Sequence, residues 1–175
     1  MPNNRHFTVF DAARLILLFL QDLPKPLVSA SVVKGWIMLA RQDGAIEPPA
    51  SRPLETGLDF WSTALDRLPA ANRNLTKHLL TLFAETVTKR DEKGHPIIGE
   101  ADARNLASSV ARAMFHLEDG GGAKGNQKNV HATLALAFLV KKRGEYLSSL
   151  GGRGKTAFLP STKEMLAWKG STNNS

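Results

Sequence analysis

The sequence predicts an all-α fold, a helical bundle of about six helices, and three observations carry the prediction. Apolar residues recur at three- and four-residue spacing in successive stretches. Prolines, glycines and polar turns separate those stretches. No segment alternates apolar and polar residues with a period of two over a useful length, so strands have no support. A chain of 175 residues suits one domain with a proper core.

The first helix opens at Thr8, a suitable N-cap, with Asp11 three residues later and Phe7 placed to staple onto the helix. It runs to about Asp22. Leu15 to Leu20 is apolar on nearly all sides, which predicts a central helix with Leu15, Leu18 and Phe19 buried. Pro24 and Pro26 then stop it, pushing Leu23 and Lys25 toward extended geometry. Ser29 or Ser31 caps a second helix through Val33, Trp36, Ile37 and Leu39, ending near Gly44. Ala45 to Pro53 is a loop, because its prolines cannot sit inside a helix.

Leu54, Leu58, Trp61 and Leu65 lie on one face of a third helix that Pro69 ends. A fourth carries Leu75, Leu79, Leu82, Phe83 and Val87 on one stripe, with Asn72 placed to cap its start. "RDEKGHP" reads as a polar turn. A fifth helix, about Glu100 to Leu117, turns Leu106, Val110, Met114 and Leu117 inward. The chain loosens in "GGGAKGNQKN", and the last helix spans Val130 to Leu150 with a mild interruption at Gly144. Residues 151–175 read as a flexible basic tail.

Composition excludes several classes. There is no cysteine, hence no disulfide and no thiolate metal site, and no apolar run approaches the roughly 18 residues of a membrane span. No secretory signal is visible, so a cytoplasmic location is expected. The net charge of +7 is not spread evenly: residues 1–123 hold 14 Lys and Arg against 14 Asp and Glu, while residues 124–175 hold nine against two. That basic end reads first as a solvated terminus; its alternative use is peripheral contact with an anionic membrane through residues 124–175. No nucleic-acid partner is expected.

Two glycine motifs fail in context. Gly120 to Gly125 fits G-x-G-x-x-G, but a dinucleotide turn needs a strand before it. "GGRGKT", Gly151 to Thr156, resembles the end of a phosphate-binding loop but has Ser149 where that loop needs glycine. The histidines are scattered, with His78, His116 and His131 read as helix-surface residues. No metal site, cofactor or catalytic set is expected.

The order of the pieces is more specific. "LFLQDLPKPLV", then "LDRLPAANRNLTKHLLTLF", then "NLASSVARAMF", then "LALAFLVKKRGEYL" resembles the Rho GTPase-activating protein (RhoGAP) domain family over about Val9 to Leu147. The resemblance implies a helical domain over residues 1–150 that docks on a Rho-family small GTPase and offers an arginine finger to its nucleotide. This chain departs from the family pattern. The finger belongs on a loop well before the first helix, where only Arg5 stands, too close to serve. Leu17 replaces a usual lysine, Gln21 a usual arginine, and the family's Gly-Pro-Asn reads Ala111, Arg112, Ala113.

By resemblance, then, the residues facing the GTPase are Arg14, Leu17, Gln21, Lys25, Asn105, Arg112 and Ala113, with Leu17 directed outward. The expectation is a signalling module that binds a Rho-family GTPase without activating it and has no enzyme activity of its own. Two alternatives stand beside it: a truncated portion of an active GTPase-activating protein, whose uncovered helices would leave an apolar groove, and a scaffold that uses its basic end.

Overall fold

The computed structural model describes residues 9–47, 64–93, 96–117 and 123–151. The chain divides into two compact units, Met1–Glu145 and Tyr146–Ser175. Five helices are described: α1 (Val9–Gln21), α2 (Ala30–Gln42), α3 (Ala70–Val87), α4 (Glu100–Phe115) and α5 (Ala123–Gly151). Of the second unit, only the residues that end α5 are described. The caps expected at Thr8 and Phe7, nearly all of the helix expected from Leu54, and the tail lie outside the described residues.

The central helix is α5. Ala132, Ala135, Leu136, Ala137, Phe138, Leu139 and Val140 are all buried, so this stretch is enclosed nearly all round. Helix α1, expected to be central, instead packs on α4 along one side. Leu20 is fully buried, but Leu15, Leu18 and Phe19 are 54%, 42% and 56% exposed. The expectation of their burial is overturned, because apolarity on every side of a helix does not supply neighbours on every side.

Helix α2 follows its sequence signals. Ser29 is the N-cap residue, although its hydroxyl meets Ser31 Oγ at 3.0 Å and not a helical N–H. Gly44 closes the helix at φ +79°, a left-handed conformation natural to glycine. Val33, Trp36 and Leu39 are buried. The Trp36 indole N–H donates to Ala64 O at 2.6 Å, and its ring meets Phe115 edge-on at 5.8 Å and 72°.

Pro69 is the N-cap of α3; Asn72 is already inside the helix and bonds elsewhere. The buried stripe of α3 is Thr76, Leu79, Leu80, Phe83, Ala84 and Val87, whereas Leu82 is 43% exposed. The Thr88 hydroxyl donates to Ala84 O at 2.6 Å as the helix ends.

The polar turn joins a two-stranded antiparallel hairpin, β1 (Thr88–Arg90) and β2 (Pro96–Ile98), paired Thr88 to Ile98 through Arg90 to Pro96. Strands of three residues are too short to show a period of two, so the sequence pattern missed them. Asp91 Oδ1 accepts from the Lys93 N–H at 2.9 Å and shapes the turn. The hairpin explains Gly144. That glycine does not interrupt α5; a Cβ there would overlap Ile98 Cδ1. Gly144→Ala sets a helix-propensity gain of about 1 kcal/mol against displacement of the Ile98 side-chain end, and adding Ile98→Val, which removes that carbon, should raise the denaturant midpoint above that of the single variant.

Helix α5 begins at Ala123, seven residues before the expected Val130. Of the intervening residues Gly125 is the poorest helix former, and the helix carries it. Near the far end Lys142 Nζ lies 3.2 Å from Asp43 Oδ1 and 3.3 Å from Glu145 Oε2, clamping α5 to the end of α2. Burial disfavours the Lys142 ammonium, but its hydrogen bond to Asp43 and the charges of Glu145 and Asp43 outweigh that and raise its pKa above the ordinary 10.5. The clamp's contribution is therefore complete below pH 10.5 and lost as pH rises through the raised value. Lys142→Met should lower stability by about 1 kcal/mol at neutral pH and flatten the alkaline limb of the stability–pH curve.

No helix among the described residues is long and apolar enough to cross a membrane. No cluster of His, Cys, Asp and Glu among them could hold a metal ion.

Candidate functional site

The two prolines after α1 aim the chain into the core. Leu27 and Val28, immediately past the stop, are 2% and 0% exposed. Three hydrogen bonds fix them and the helix end before them. The Val28 N–H donates to Met114 O at 3.3 Å, His116 Nε2 meets Leu20 O at 3.0 Å, and the Asn72 amide donates to Leu27 O at 2.8 Å. The leucine-proline stop and the asparagine four residues after Leu68 therefore meet in one bond. Asn72→Ala should cost about 1–3 kcal/mol, since it leaves a part-buried carbonyl unpaired; the urea midpoint measures it.

His116 is another residue that sequence spacing misread. It is half-buried, not a surface residue, and takes a left-handed conformation at φ 47° to cap α4. From there its ring reaches the end of α1. Nothing in the histidine spacing signals this, because the partner is a backbone carbonyl 96 positions away.

These bonds decide which candidate residues come together. Gln21 adjoins Leu20, Lys25 lies in the stop itself, and Arg112 is one turn before His116, so all three gather where α1 and α4 end, each exposed. Arg14 and Leu17 continue the Gln21 stripe up α1, with Arg14 exposed and Leu17 half-buried. Asn105 is exposed two turns above Arg112 on α4, about 10 Å along the axis. Between them stand Ser108 and Ser109, whose hydroxyls donate to Arg104 O and Asn105 O at 2.9 and 3.1 Å. The sequence did not single out these serines, which complete a polar stripe.

Ala113 does not join the surface. It is 1% exposed, in a final stretch of α4 where Val110, Ala111, Met114 and Phe115 are also buried and Arg112 alone faces out. With Ala, Arg and Ala at 111–113 the helix continues unbroken to Phe115.

The candidate residues form a surface, not a pocket. Among the described residues, one cleft of about 240 Å³ lies beside Arg73, Lys77 and Arg143 and another of about 410 Å³ beside Asp43, Glu100 and Lys141. None of the seven lines either. An open, mixed apolar and cationic surface suits a protein partner better than a small molecule.

A family model, the RhoGAP domain, matches residues 1–119. The chain belongs to the RhoGAP domain family. Membership implies regulation of Rho-family GTPases and interaction with them. The matched stretch includes α1 to α4, and so three of the four sequence signatures; the fourth lies in α5, beyond the match. No curated protein matches the chain. The RhoGAP match agrees with the predominantly helical architecture, in which the short hairpin is the sole sheet among the described residues.

Proposed function

We propose that this RhoGAP-family chain binds a Rho-type GTPase through the surface where Gln21, Lys25 and Arg112 gather, and that it does so without accelerating GTP hydrolysis. The observation that carries the reading is the meeting of α1, the proline stop and α4 at one exposed corner, held by the Leu20–His116 and Val28–Met114 bonds. Lys25 and Arg112 supply charge for docking on an acidic partner surface.

The same surface is poor in the groups catalysis needs. Leu17 and Gln21 bring no charge, and Ala113 is buried. Arg14 and Arg112 stand on helices, whose backbones cannot advance a guanidinium into a neighbour's nucleotide site as a loop can. We place the domain's end within α5 and not at residue 119, because α5 holds the hairpin at Gly144 and the end of α2 through Lys142, and the first compact unit runs to Glu145.

Titration of this chain against Rho-type GTPases carrying a GTP analogue tests the reading. Binding should fall at least tenfold in the Lys25→Glu, Arg112→Glu double variant and hold in Lys77→Glu, an exposed charge on α3. Absence of binding to every member of a Rho-type panel overturns it.

A further inference from the structure

The outward side of α1 carries a second row of residues beside the Gln21 stripe, sharing only Arg14 with the candidate docking residues. Residues four apart on a helix stand in one row. One row here is Arg14, Leu18, Asp22, and beside it run Leu15 and Phe19. All three apolar side chains are about half exposed. Asp22 lies one residue past the helix but keeps its helical place, because its N–H donates to Leu18 O at 2.9 Å. Neither Arg14 nor Asp22 is in an ion pair among the described residues.

We propose that this row is a homotypic interface, on which a second copy of the chain lays its own α1 antiparallel, about a two-fold axis at Leu18. Arg14 and Asp22 stand at equal distances from Leu18, four residues or about 6 Å to either side. The two-fold operation brings Leu18 to Leu18 and sets Arg14 opposite the partner's Asp22, and it does so twice. Parallel pairing would set arginine against arginine and aspartate against aspartate. A uniformly basic or acidic partner would satisfy one end of the row and be repelled at the other. A self-complementary surface with an apolar centre and opposite charges at its rim is what an isologous contact requires. The patch is small, so the dimer is weak and reversible.

Sedimentation equilibrium of the full chain at low salt tests this. The expected result is a monomer–dimer equilibrium with a dissociation constant on the order of 10–100 μM. Arg14→Asp or Asp22→Arg alone should weaken it roughly tenfold, the double variant R14D/D22R should restore it, and Leu18→Glu should abolish it. Circular dichroism on each variant confirms that helix content is unchanged. A chain monomeric up to about 1 mM, a dimer untouched by Leu18→Glu, or a double variant no better than the single ones overturns the proposal. So does a monomer whose affinity for a Rho-type GTPase collapses on Leu18→Glu, which would give the row to that partner.

Discussion

Single-turnover GTP hydrolysis by Rho-type GTPases stays within a few-fold of the intrinsic rate when this chain is added in excess, instead of rising by roughly 10³ or more. An arginine finger acts by neutralising charge on the transferring phosphoryl group, and its effect depends on reach into a site that belongs to the other protein. Gln21 is neutral, Leu17 is apolar and half-buried, and the position expected to carry an asparagine is a core alanine at 113. Docking area and finger chemistry are separable, so the expected result is binding without acceleration. A large acceleration would instead direct attention to Arg14 and Arg112; replacing each by alanine would show which one reaches the nucleotide.

The largest stability effect falls on Trp36. Its side chain is 1% exposed, its indole N–H is bonded to Ala64 O, and its ring packs on Phe115. Trp36→Ala should cost about 3–5 kcal/mol, a large part of the roughly 5–15 kcal/mol that holds a typical domain folded. Trp36→Phe separates the causes: it keeps much of the apolar volume and loses only the donor, so about 1–3 kcal/mol is expected. Because the chain has three tryptophans, far-ultraviolet circular dichroism against urea is a cleaner measurement than fluorescence.

The two ends of the chain's legibility are well marked. Helices α2, α3 and α4 were readable from their apolar spacing and from chemical punctuation, Gly44 with its positive φ closing α2 and Pro69 standing immediately before α3. The start of α5 was not, since a glycine-rich approach resembles a loop although Ala123 and most residues after it are compatible with a helix. The place of α1 was misread because hydropathy records which side chains avoid water, and a core stripe and an unpartnered patch are alike in that respect. The hairpin offered three residues per strand, fewer than a periodicity needs.

The exposure of most candidate residues was legible in the sequence, Ala113 excepted, and their spatial arrangement was not. Arg14, Gln21, Lys25, Asn105 and Arg112 are all on the surface, as the family pattern implied. What draws Gln21, Lys25 and Arg112 to one corner is the Leu20 carbonyl, the Val28 amide and the Met114 carbonyl, groups that every residue type carries and no sequence signal distinguishes. His116 and Asn72 are the side chains that reach this backbone, and their roles come from what they touch.

The bond from Asn72 to Leu27 O has an evolutionary consequence. Its acceptor is main chain, so the side chain at 27 is selected for apolar volume alone and the one at 72 for its amide. No substitution at 27 can compensate a loss at 72, since nothing placed there changes the carbonyl. In a library varying both positions, tolerated residues at the two sites should be statistically independent despite their contact. Co-variation, the usual trace of spatial neighbours, would be silent at the point where the proline stop is tied to α3.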